Sequence, residues 1–463
     1  MSDGKTLDKG RKSIVSLMVA LLVAIFAFQL NSSMLTPALV QMQTELNATA
    51  VEIGNTQTVF FTACALFSLF LPRLADHLGR RKVLVGMLAI TALGCFVSSM
   101  ASSVVFLLIG RVMQGVAGPV VPMCLIMLNQ KVTDGKEYAK LMAILTSVNG
   151  GIAGVDALLG GWLASTFGFR SVFLTMAVVA VAAVILVLCF SEESKSEESV
   201  HVDVVGMVTL GIAFLAAYLA INELQQATIR PAYLAVLIVV AAVFFVIFWN
   251  VEKKKSDPMV STKYLKERRT WALLTTTLLT MMGVFAIMNG IVPAIAQDPE
   301  MGINLNADVV SFATLTPYAL IGLVFGPVAG VLASKFGYHA VLRGGLLVSI
   351  AGVVLGIFLL ANPSIPSIVA ISVILGFSYA GCANIMLNGL GIVLSPKDNT
   401  GYLPGMNAGA FNLGAGLSYA VLYSVMNAFT LSGGASAGYV ASFIAGAIIL
   451  CLALAMSFVI PKR

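Results

Sequence analysis

Long apolar runs alternate with short polar segments along the whole chain of 463 residues. Most runs are about 20 residues or a little longer, the length of helix that crosses the hydrocarbon core of a bilayer. The pattern predicts an all-α integral membrane protein with fourteen transmembrane helices. The predicted spans are 13–36, 54–72, 83–101, 104–128, 139–166, 170–190, 203–222, 232–251, 270–296, 308–333, 340–361, 366–395, 401–428 and 438–460.

Composition agrees with a chain that lies mostly in lipid. Hydrophobic residues make up 59% and charged residues 10%, with a mean hydropathy of +0.97. Soluble domains carry about 25% charged residues. The six cysteines all fall inside apolar runs without a Cys-x-x-Cys pair, so neither a disulfide framework nor a metal site is expected.

Basic residues orient the predicted helices. With the N-terminus placed in the cytoplasm, 24 of the 27 Lys and Arg residues fall at the cytoplasmic side, and only Arg170 and Arg230 fall outside. This asymmetry predicts that both termini are cytoplasmic. It also explains the net charge of +6 without a nucleic-acid partner.

The most polar linkers of the chain flank spans seven and eight. They divide it into an N-terminal six-helix bundle (1–190), an inserted helix pair with its linkers (191–268) and a C-terminal six-helix bundle (269–463). A charged glycine turn follows the second span of each bundle, at 73–82 and again at 334–343. A 6+2+6 layout with a repeated bundle predicts a transporter whose substrate site lies between the bundles near the membrane midplane.

Three motifs carry charge or glycine at fixed spacing within this layout. They are Leu74-Ala75-Asp76-His77-Leu78-Gly79-Arg80-Arg81 in the first charged turn, Leu108-Ile109-Gly110-Arg111-Val112-Met113-Gln114-Gly115 in span four, and Asp156-Ala157-Leu158-Leu159-Gly160-Gly161 in span five. With these motifs and the inserted pair, the chain resembles the fourteen-span drug:proton antiporter branch of the major facilitator superfamily over essentially its whole length. The resemblance implies the major facilitator fold, alternating access and coupling to protons. Two positions depart from the family pattern: Pro72 replaces a glycine, and Asp156-Ala157 replaces a Gly-Pro pair.

The first charged turn is a candidate conformational latch made of Asp76, Gly79, Arg80 and Arg81. Gly79 permits a tight turn, and Asp76 can cap a helix or pair with a cation across the contact between the bundles. The alternative is that the basic residues only anchor the turn at the membrane surface. The second copy has Ser334 in place of the acid, so a latch would be asymmetric.

Arg111 and Asp156 are the candidates for proton coupling. The resemblance associates the arginine of the span-four motif with this role. An arginine within a span is costly and should face a cavity or an acid. From their distances to the span ends, both residues lie in the outer half of the N-terminal bundle, so we predict an ion pair between them. Asp156 could carry the transported proton, or it could serve only as a structural counter-ion for Arg111.

Polar residues inside the spans are candidates for lining the substrate site, although a single residue of this kind more often forms a hydrogen bond to a neighbouring helix. The candidates are Gln29, Asn31, Gln114, Asn149, Asn289, Tyr318, Asn388 and Asn412. The family branch usually has an acid near the position of Asn31, where it is linked to cationic drugs. Its absence favours a neutral, anionic or apolar substrate, or relocation of the charge to Asp156.

These observations predict a proton-coupled secondary transporter that exports hydrophobic or amphipathic compounds, as in multidrug efflux. The alternative is a proton symporter that imports a small metabolite. We expect a monomeric multi-pass protein of the cell (inner) membrane that needs no cofactor beyond the proton gradient. A channel is disfavoured because no filter motif appears. An enzyme is disfavoured because the three histidines all lie at the cytoplasmic side, and direct use of ATP because no Walker-type phosphate loop occurs.

Overall fold

The fold is helical throughout the part of the chain that the structure describes. The computed structural model describes residues 2–132, 134, 137, 138, 140–142, 144, 145, 154–194, 203–224, 229–255, 258, 260–301, 303–359, 363–396 and 402–461, with residues 2–13 and 204 by backbone alone. Within these ranges there is no strand. The helices are α1 (Ser2–Ser33), α2 (Leu39–Glu45), α3 (Ala50–Leu78), α4 (Arg80–Ser99), α5 (Val104–Gly115), α6 (Val120–Lys131), α7 (Val155–Phe167), α8 (Phe169–Phe190), α9 (Val204–Leu224), α10 (Pro231–Lys254), α11 (Thr262–Leu265), α12 (Arg268–Ala286), α13 (Val292–Gln297), α14 (Ala307–Ala313), α15 (Leu315–Phe336), α16 (Tyr338–Leu359), α17 (Ile365–Leu375), α18 (Asn384–Val393) and α19 (Tyr402–Ser457).

Twelve helical segments of the described chain are long and apolar enough to cross a membrane. The difference from the predicted fourteen arises at two places. The last two predicted spans lie in the single 56-residue helix α19, whose backbone breaks at Gly434 with φ 82° and ψ 176°. The fifth predicted span lies partly outside the described residues, and its described end is the 13-residue α7. The count of fourteen therefore stays a prediction.

Helix ends follow local sequence signals. Thr49 accepts a hydrogen bond from the backbone of Glu52, and the Glu52 side chain accepts one from the Thr49 backbone in return, which starts α3 with a capping box. Gly79 separates α3 from α4 with φ 114°, and Gly337 separates α15 from α16 with φ 84°. Other residues rarely adopt these angles. The two charged turns of the sequence therefore occupy equivalent places between pairs of long helices.

The chain forms two groups of packed helices, the N-terminal bundle (α1–α8) and the C-terminal bundle (α12–α19). In the first, α8 packs on α1 and α4, and α5 packs on α3 and α4. In the second, α19 packs on α12 and α16. The bundles meet along a seam, which is formed by α3 against α19 and by α7 against α14 and α15.

The inserted pair, α9 and α10, packs on itself and against α3 at the side of the seam. A small apolar cluster of Leu210, Phe248 and Val260 contacts Leu69 of α3 and Met406 of α19. The inserted pair therefore touches both bundles where α3 and α19 meet.

Two segments of the C-terminal bundle wind as π-helix. They are Ile287–Ile291, between α12 and α13, and Gly376–Ala383, between α17 and α18. Such segments interrupt the regular hydrogen-bond ladder and are frequent at functional sites. They contain Asn289, one of the predicted substrate residues, and Tyr379, which stacks on another, Tyr318, with ring centroids 6.5 Å apart.

Candidate functional site

Arg111 lies fully buried in the N-terminal bundle beside the seam, held by neutral groups. Its Nη1 donates to Gln114 Oε1 at 2.7 Å and to the backbone oxygen of Asn31 at 3.1 Å. Its Nη2 donates to Gln57 Oε1 at 2.7 Å, and the guanidinium lies 4.0 Å above the ring of Phe60. The forked shape of the side chain lets it reach both glutamines at once.

The predicted ion pair between Arg111 and Asp156 is absent. Among the described residues, no carboxylate lies within 4.0 Å of the Arg111 nitrogens. Asp156 instead accepts a hydrogen bond from Ser33 Oγ at 2.5 Å. The two charged residues share a bundle but point to different neighbours, so depth in the membrane did not identify the partner.

Asp156 is 2% exposed in the first turn of α7. Its Oδ2 accepts the Ser33 hydroxyl, and its Oδ1 is buried without a hydrogen-bond partner in the described structure. Elsewhere in the described parts of the two bundles, no other carboxyl group is buried. A buried carboxylate with a single donor is costly to keep ionised, which makes Asp156 a natural place for a proton to bind.

A hydrogen-bond chain joins Asp156 to a predicted substrate residue. Gln29 Nε2 donates to Ser33 Oγ at 3.0 Å, and Ser33 Oγ donates to Asp156 Oδ2. The same hydroxyl also lies 3.1 Å from the backbone oxygen of Gln29, one turn earlier on α1. Because a hydroxyl has only one hydrogen, Ser33 can donate a full hydrogen bond either to Asp156 or to this carbonyl oxygen. A contact that moves Gln29 can therefore change the bonding of Asp156.

Two hydroxyls of the C-terminal bundle bind the backbone of the N-terminal bundle on either side of Asp156. Ser311 Oγ donates to the backbone oxygen of Ala157 at 2.9 Å, and Thr316 Oγ1 donates to that of Gly154 at 3.1 Å. Small residues allow this approach, since a Cβ at Gly154 would lie 2.9 Å from the Cβ of Ala319. Asp156 thus lies where the two bundles touch, at the predicted outer side.

Aromatic rings form the seam between α3 and α19. The ring of Phe61 lies 5.1 Å from Phe285 and stacks on Tyr419 at 6.5 Å. The Tyr419 hydroxyl donates to the backbone oxygen of Asn289 at 2.6 Å, and its ring lies 5.6 Å from Tyr423. The rings therefore cover one another across the seam, and Phe61 and Tyr419 are buried in this conformation.

The candidate latch bonds within the N-terminal bundle and to the linker that follows α8 in the described structure. Asp76 Oδ1 accepts from Arg80 at 2.6 and 2.9 Å, one turn away across Gly79. The backbone nitrogen of Arg81 donates to Glu193 Oε1 at 3.1 Å, and its side chain donates to the backbone oxygen of Leu188. Among the described residues, none of these hydrogen bonds of Asp76, Arg80 and Arg81 reaches the C-terminal bundle.

The remaining predicted site residues are placed differently. Gln114 is buried and donates to Ser98 Oγ at 2.9 Å, and the Asn31 side chain accepts from Cys95 Sγ at 3.2 Å. Asn388 is exposed and bonds to Asn384 on its own helix. Tyr318 and Asn412 are half-buried. Asn149 lies outside the described residues.

Sequence reasoning missed several contributors to the site. Gln57, Phe60 and Phe61 lie in α3 outside any motif, and Ser33 and Ser311 are single hydroxyls among many. The only signal for Gln57 was an amide inside an apolar run. The sequence does not show which of the adjacent residues Ser32 and Ser33 faces Asp156, because that depends on how α1 is rotated about its axis.

A polar cleft of about 530 Å³ opens at the predicted outer end of the seam. Its lining comes from both bundles: Val40, Gln41, Thr44, Ser165, Gln297, Leu305, Asn306, Ala307 and Asp308.

Comparison with known proteins identifies the family. The model of the Major Facilitator Superfamily matches residues 21–419. The chain belongs to this superfamily. It is therefore a multi-pass membrane protein of a transporter family, and the predicted major facilitator fold is confirmed at this level.

The relatives of this chain carry names that refer to different substrates. A uridine/deoxyuridine transporter of Lactococcus lactis subsp. cremoris (strain MG1363) is 57% identical over 97% of this chain and 95% of its own length. The multidrug resistance protein Stp of Mycobacterium tuberculosis (strain CDC 1551 / Oshkosh) is 24% identical over 79% of this chain and 67% of its own length. A crystal structure of a POT family transporter in complex with 5-aminolevulinic acid aligns with a TM-score of 0.69 at 14% identity, covering 98% of this chain and 97% of that one. This last likeness concerns the fold alone.

Proposed function

We propose that the protein imports uridine-type nucleosides together with protons. The observation that carries this proposal is the 57% identity, over nearly the whole chain, to a protein named a uridine/deoxyuridine transporter. It favours the alternative raised by the sequence, a symporter for a small metabolite, over multidrug efflux. The relative named for multidrug resistance is more distant, at 24% identity.

The chemistry of the seam supports a neutral heterocyclic substrate. Phe61, Phe285 and Tyr419 pack on one another across the seam, and Phe61 and Tyr419 are buried in this conformation. Separation of the bundles would free ring faces on which a pyrimidine base can stack, a contact worth about 1–3 kcal/mol for bases on aromatic side chains. The half-buried Gln29 offers an amide for hydrogen bonds to base or sugar. Arg111, whose nitrogens are already bonded, acts in this proposal as a support for α3 and the backbone of α1.

Asp156 is the proposed proton carrier. It is the one buried carboxyl in the described parts of the two bundles, and it lies at their contact. A substrate that forms a hydrogen bond with the Gln29 amide would break the bond from Gln29 to Ser33. The loss of that bond changes the hydrogen bond that Ser33 donates to Asp156. Separation of the bundles on the predicted outer side would break the flanking bonds and open Asp156 to water. Substrate, proton and conformation are thereby coupled at one residue.

The proposal includes the predicted membrane layout. The chain crosses a bacterial inner membrane fourteen times as 6+2+6 with both termini in the cytoplasm, acts as a monomer, and draws on the proton gradient without a cofactor. The break at Gly434 supports two spans within α19. The turn of Asp76 and Arg80 is the proposed latch, which must exchange partners when the bundles rock.

The test is uptake of radiolabelled uridine into proteoliposomes that hold a pH gradient, acid outside. We expect accumulation in the wild type, loss of accumulation in Asp156→Asn, and retained exchange of internal for external uridine in that variant, because exchange needs no net proton movement. Glu300→Gln, which changes an exposed acid on the predicted outer side, is the matched control and should accumulate uridine normally. Wild-type protein that ignores uridine would refute the proposed substrate, and an Asp156→Asn variant that still accumulates it would refute the proton carrier.

Multidrug efflux is the second candidate, favoured by the relative named for multidrug resistance. The same vesicles distinguish it. Export would appear as collapse of the pH gradient on addition of a lipophilic cation, with no response to uridine.

A further inference from the structure

The inserted helix pair ends in a buried acidic contact at the predicted cytoplasmic side. Asp203 directly precedes α9, and Glu252 lies near the end of α10. The side chain of Asp203 is 3% exposed, and Glu252 is 1% exposed. The facing carboxyl oxygens, Asp203 Oδ2 and Glu252 Oε1, lie close together, because both border the space that a Cβ of Gly206 would fill. Two ionised carboxylates only accept, so a hydrogen bond between them requires an added proton.

The donors around this contact occupy only one oxygen of each acid. Asp203 Oδ1 accepts from the backbone nitrogen of Gly206 at 2.6 Å and pairs with Lys255. Glu252 Oε2 accepts from the backbone nitrogen of Val260 at 2.6 Å. Asp203 Oδ2 and Glu252 Oε1 are buried and receive no hydrogen bond within the described structure.

Gly206 makes room for these two oxygens to approach each other. A Cβ at this position would lie 2.8 Å from Glu252 Oε1 and closer still to Asp203 Oδ2. The unpartnered oxygens therefore share one small space beside the first turn of α9.

Ion pairing leaves one of the two acids without a cation in contact. Among the described residues, Lys255 pairs with Asp203, and no cation pairs with Glu252. Lys253 and Lys254 lie in the last turn of α10 but form no ion pair with either acid in the described structure. From the side of α19, Tyr402 interacts with Glu252 and also with Arg73, Tyr264 and Glu267, so both signs of charge face the contact there. Like charges in contact disfavour double ionisation, so one carboxyl of such a pair retains its proton.

We propose that Asp203 and Glu252 form a second proton-binding site that holds one shared proton, separate from Asp156 and outside the seam. The proton joins the start of α9 to the end of α10, and Glu252 holds the linker through Val260. The linker is in turn tied to α19, because the Tyr402 hydroxyl donates to the backbone oxygen of Ser261 at 3.0 Å. Proton occupancy therefore sets how firmly the inserted pair is held on the helices of the seam.

The proposal is tested on purified full-length protein in lipid nanodiscs, without substrate, so that the result is independent of what the protein transports. Infrared spectra of the wild type should contain the carbonyl band of a protonated carboxylic acid that disappears in Glu252→Gln and also in Asp203→Asn. Asp156→Asn must leave this band in place. Glu192→Gln, an exposed acid paired with Lys131, is the matched control.

Thermal unfolding between mildly acidic and mildly alkaline pH provides the second readout. The wild type should lose stability as the pH rises and the shared proton leaves, with a slope that exceeds that of Glu252→Gln by about one titrating group. Glu252→Gln keeps a hydrogen to donate and cannot titrate, so its melting temperature should not follow this slope. An unchanged band in both variants, or a Glu252→Gln protein with the wild-type pH dependence, would overturn the proposal. If one variant fails to fold, the other decides, because each alone removes the titrating pair.

Discussion

Removing the two hydroxyls that cross the seam should shift the protein toward an outward-open state. Ser311 and Thr316 donate to backbone oxygens of the N-terminal bundle at 2.9 and 3.1 Å, on either side of Asp156. Separation of α14 and α15 from α7 breaks both bonds, so they stabilise only the closed state. The perturbation is the double variant Ser311→Ala/Thr316→Val, which removes the donors and leaves the acceptors in place.

The expected magnitude follows from the strength of single hydrogen bonds. Each net contribution is about 0.5–1.5 kcal/mol. Because the bonds lie on one contact and break together, their sum biases the equilibrium by about 1–3 kcal/mol, which is about 5- to 150-fold in population. A variant shifts the equilibrium only by the difference in its effect on the free energies of the two states. Here that difference is the free energy of these two hydrogen bonds, which form only in the closed state.

The assay measures the distance between spin labels on either side of the outer cleft. Thr44 and Asn306 are exposed, line this cleft and belong to different bundles. Labels at Thr44→Cys and Asn306→Cys, in a background without the native cysteines, report opening by double electron–electron resonance. The double variant should transfer population from the short to the long distance.

The matched control removes two buried hydroxyls that bond within their own helix. Thr276 and Thr280 of α12 donate to backbone oxygens one turn earlier, each at 2.7 Å. Thr276→Val/Thr280→Val should leave the distance distribution unchanged. If the seam variant also leaves it unchanged while it folds normally, the two bonds do not set the closed state and the account of the outer seam is wrong.

Three further outcomes follow from the packing and charge of the described residues. Arg111→Lys should lower the free energy of unfolding by about 1.5–3 kcal/mol and reduce uptake, because an ammonium group cannot reach both glutamine partners of the guanidinium. Differential scanning fluorimetry measures the first effect, and a transport assay measures the second. Gly118→Ala should cost about 1–3 kcal/mol, because its methyl group would press on the backbone of α3; the melting temperature checks this. Glu45→Gln removes an exposed ion pair with Arg170 and should change the free energy of unfolding by less than about 1 kcal/mol. The melting temperature of the variant checks this.

Helix content and the repeated turns could be predicted from the sequence because they depend on local patterns. Apolar length determines which segments can cross a bilayer, and Gly79 and Gly337 have positive φ in turns that share their charge pattern. The merging of two predicted spans into α19 has a local cause as well. Residues 429–437 are small or apolar and carry no charge, so helical hydrogen bonding continues on both sides of the break at Gly434.

Partners across helices could not be predicted, because they depend on rotation about each helix axis. One residue changes the direction of a side chain by about 100°, so depth alone leaves the facing neighbour undetermined. Asp156 and Arg111 were matched by depth, yet Asp156 faces Ser33 and Arg111 faces Gln57 and Gln114. No local signal distinguishes these partners from other hydroxyls and amides of the spans.

The charges around the seam argue for a neutral rather than a cationic substrate. Arg111 is fully buried beside the seam with only neutral partners, so no described carboxylate neutralises its positive charge by contact. A lipophilic cation entering beside it would add a second charge of the same sign in a medium of low dielectric constant, which is unfavourable. A nucleoside adds no charge, and its base can stack on rings already held by packing. Competition for uridine uptake provides a direct test. Excess deoxyuridine should block uptake, whereas lipophilic cations at the same concentration should leave it unchanged. Strong inhibition by such cations would contradict this account of the seam.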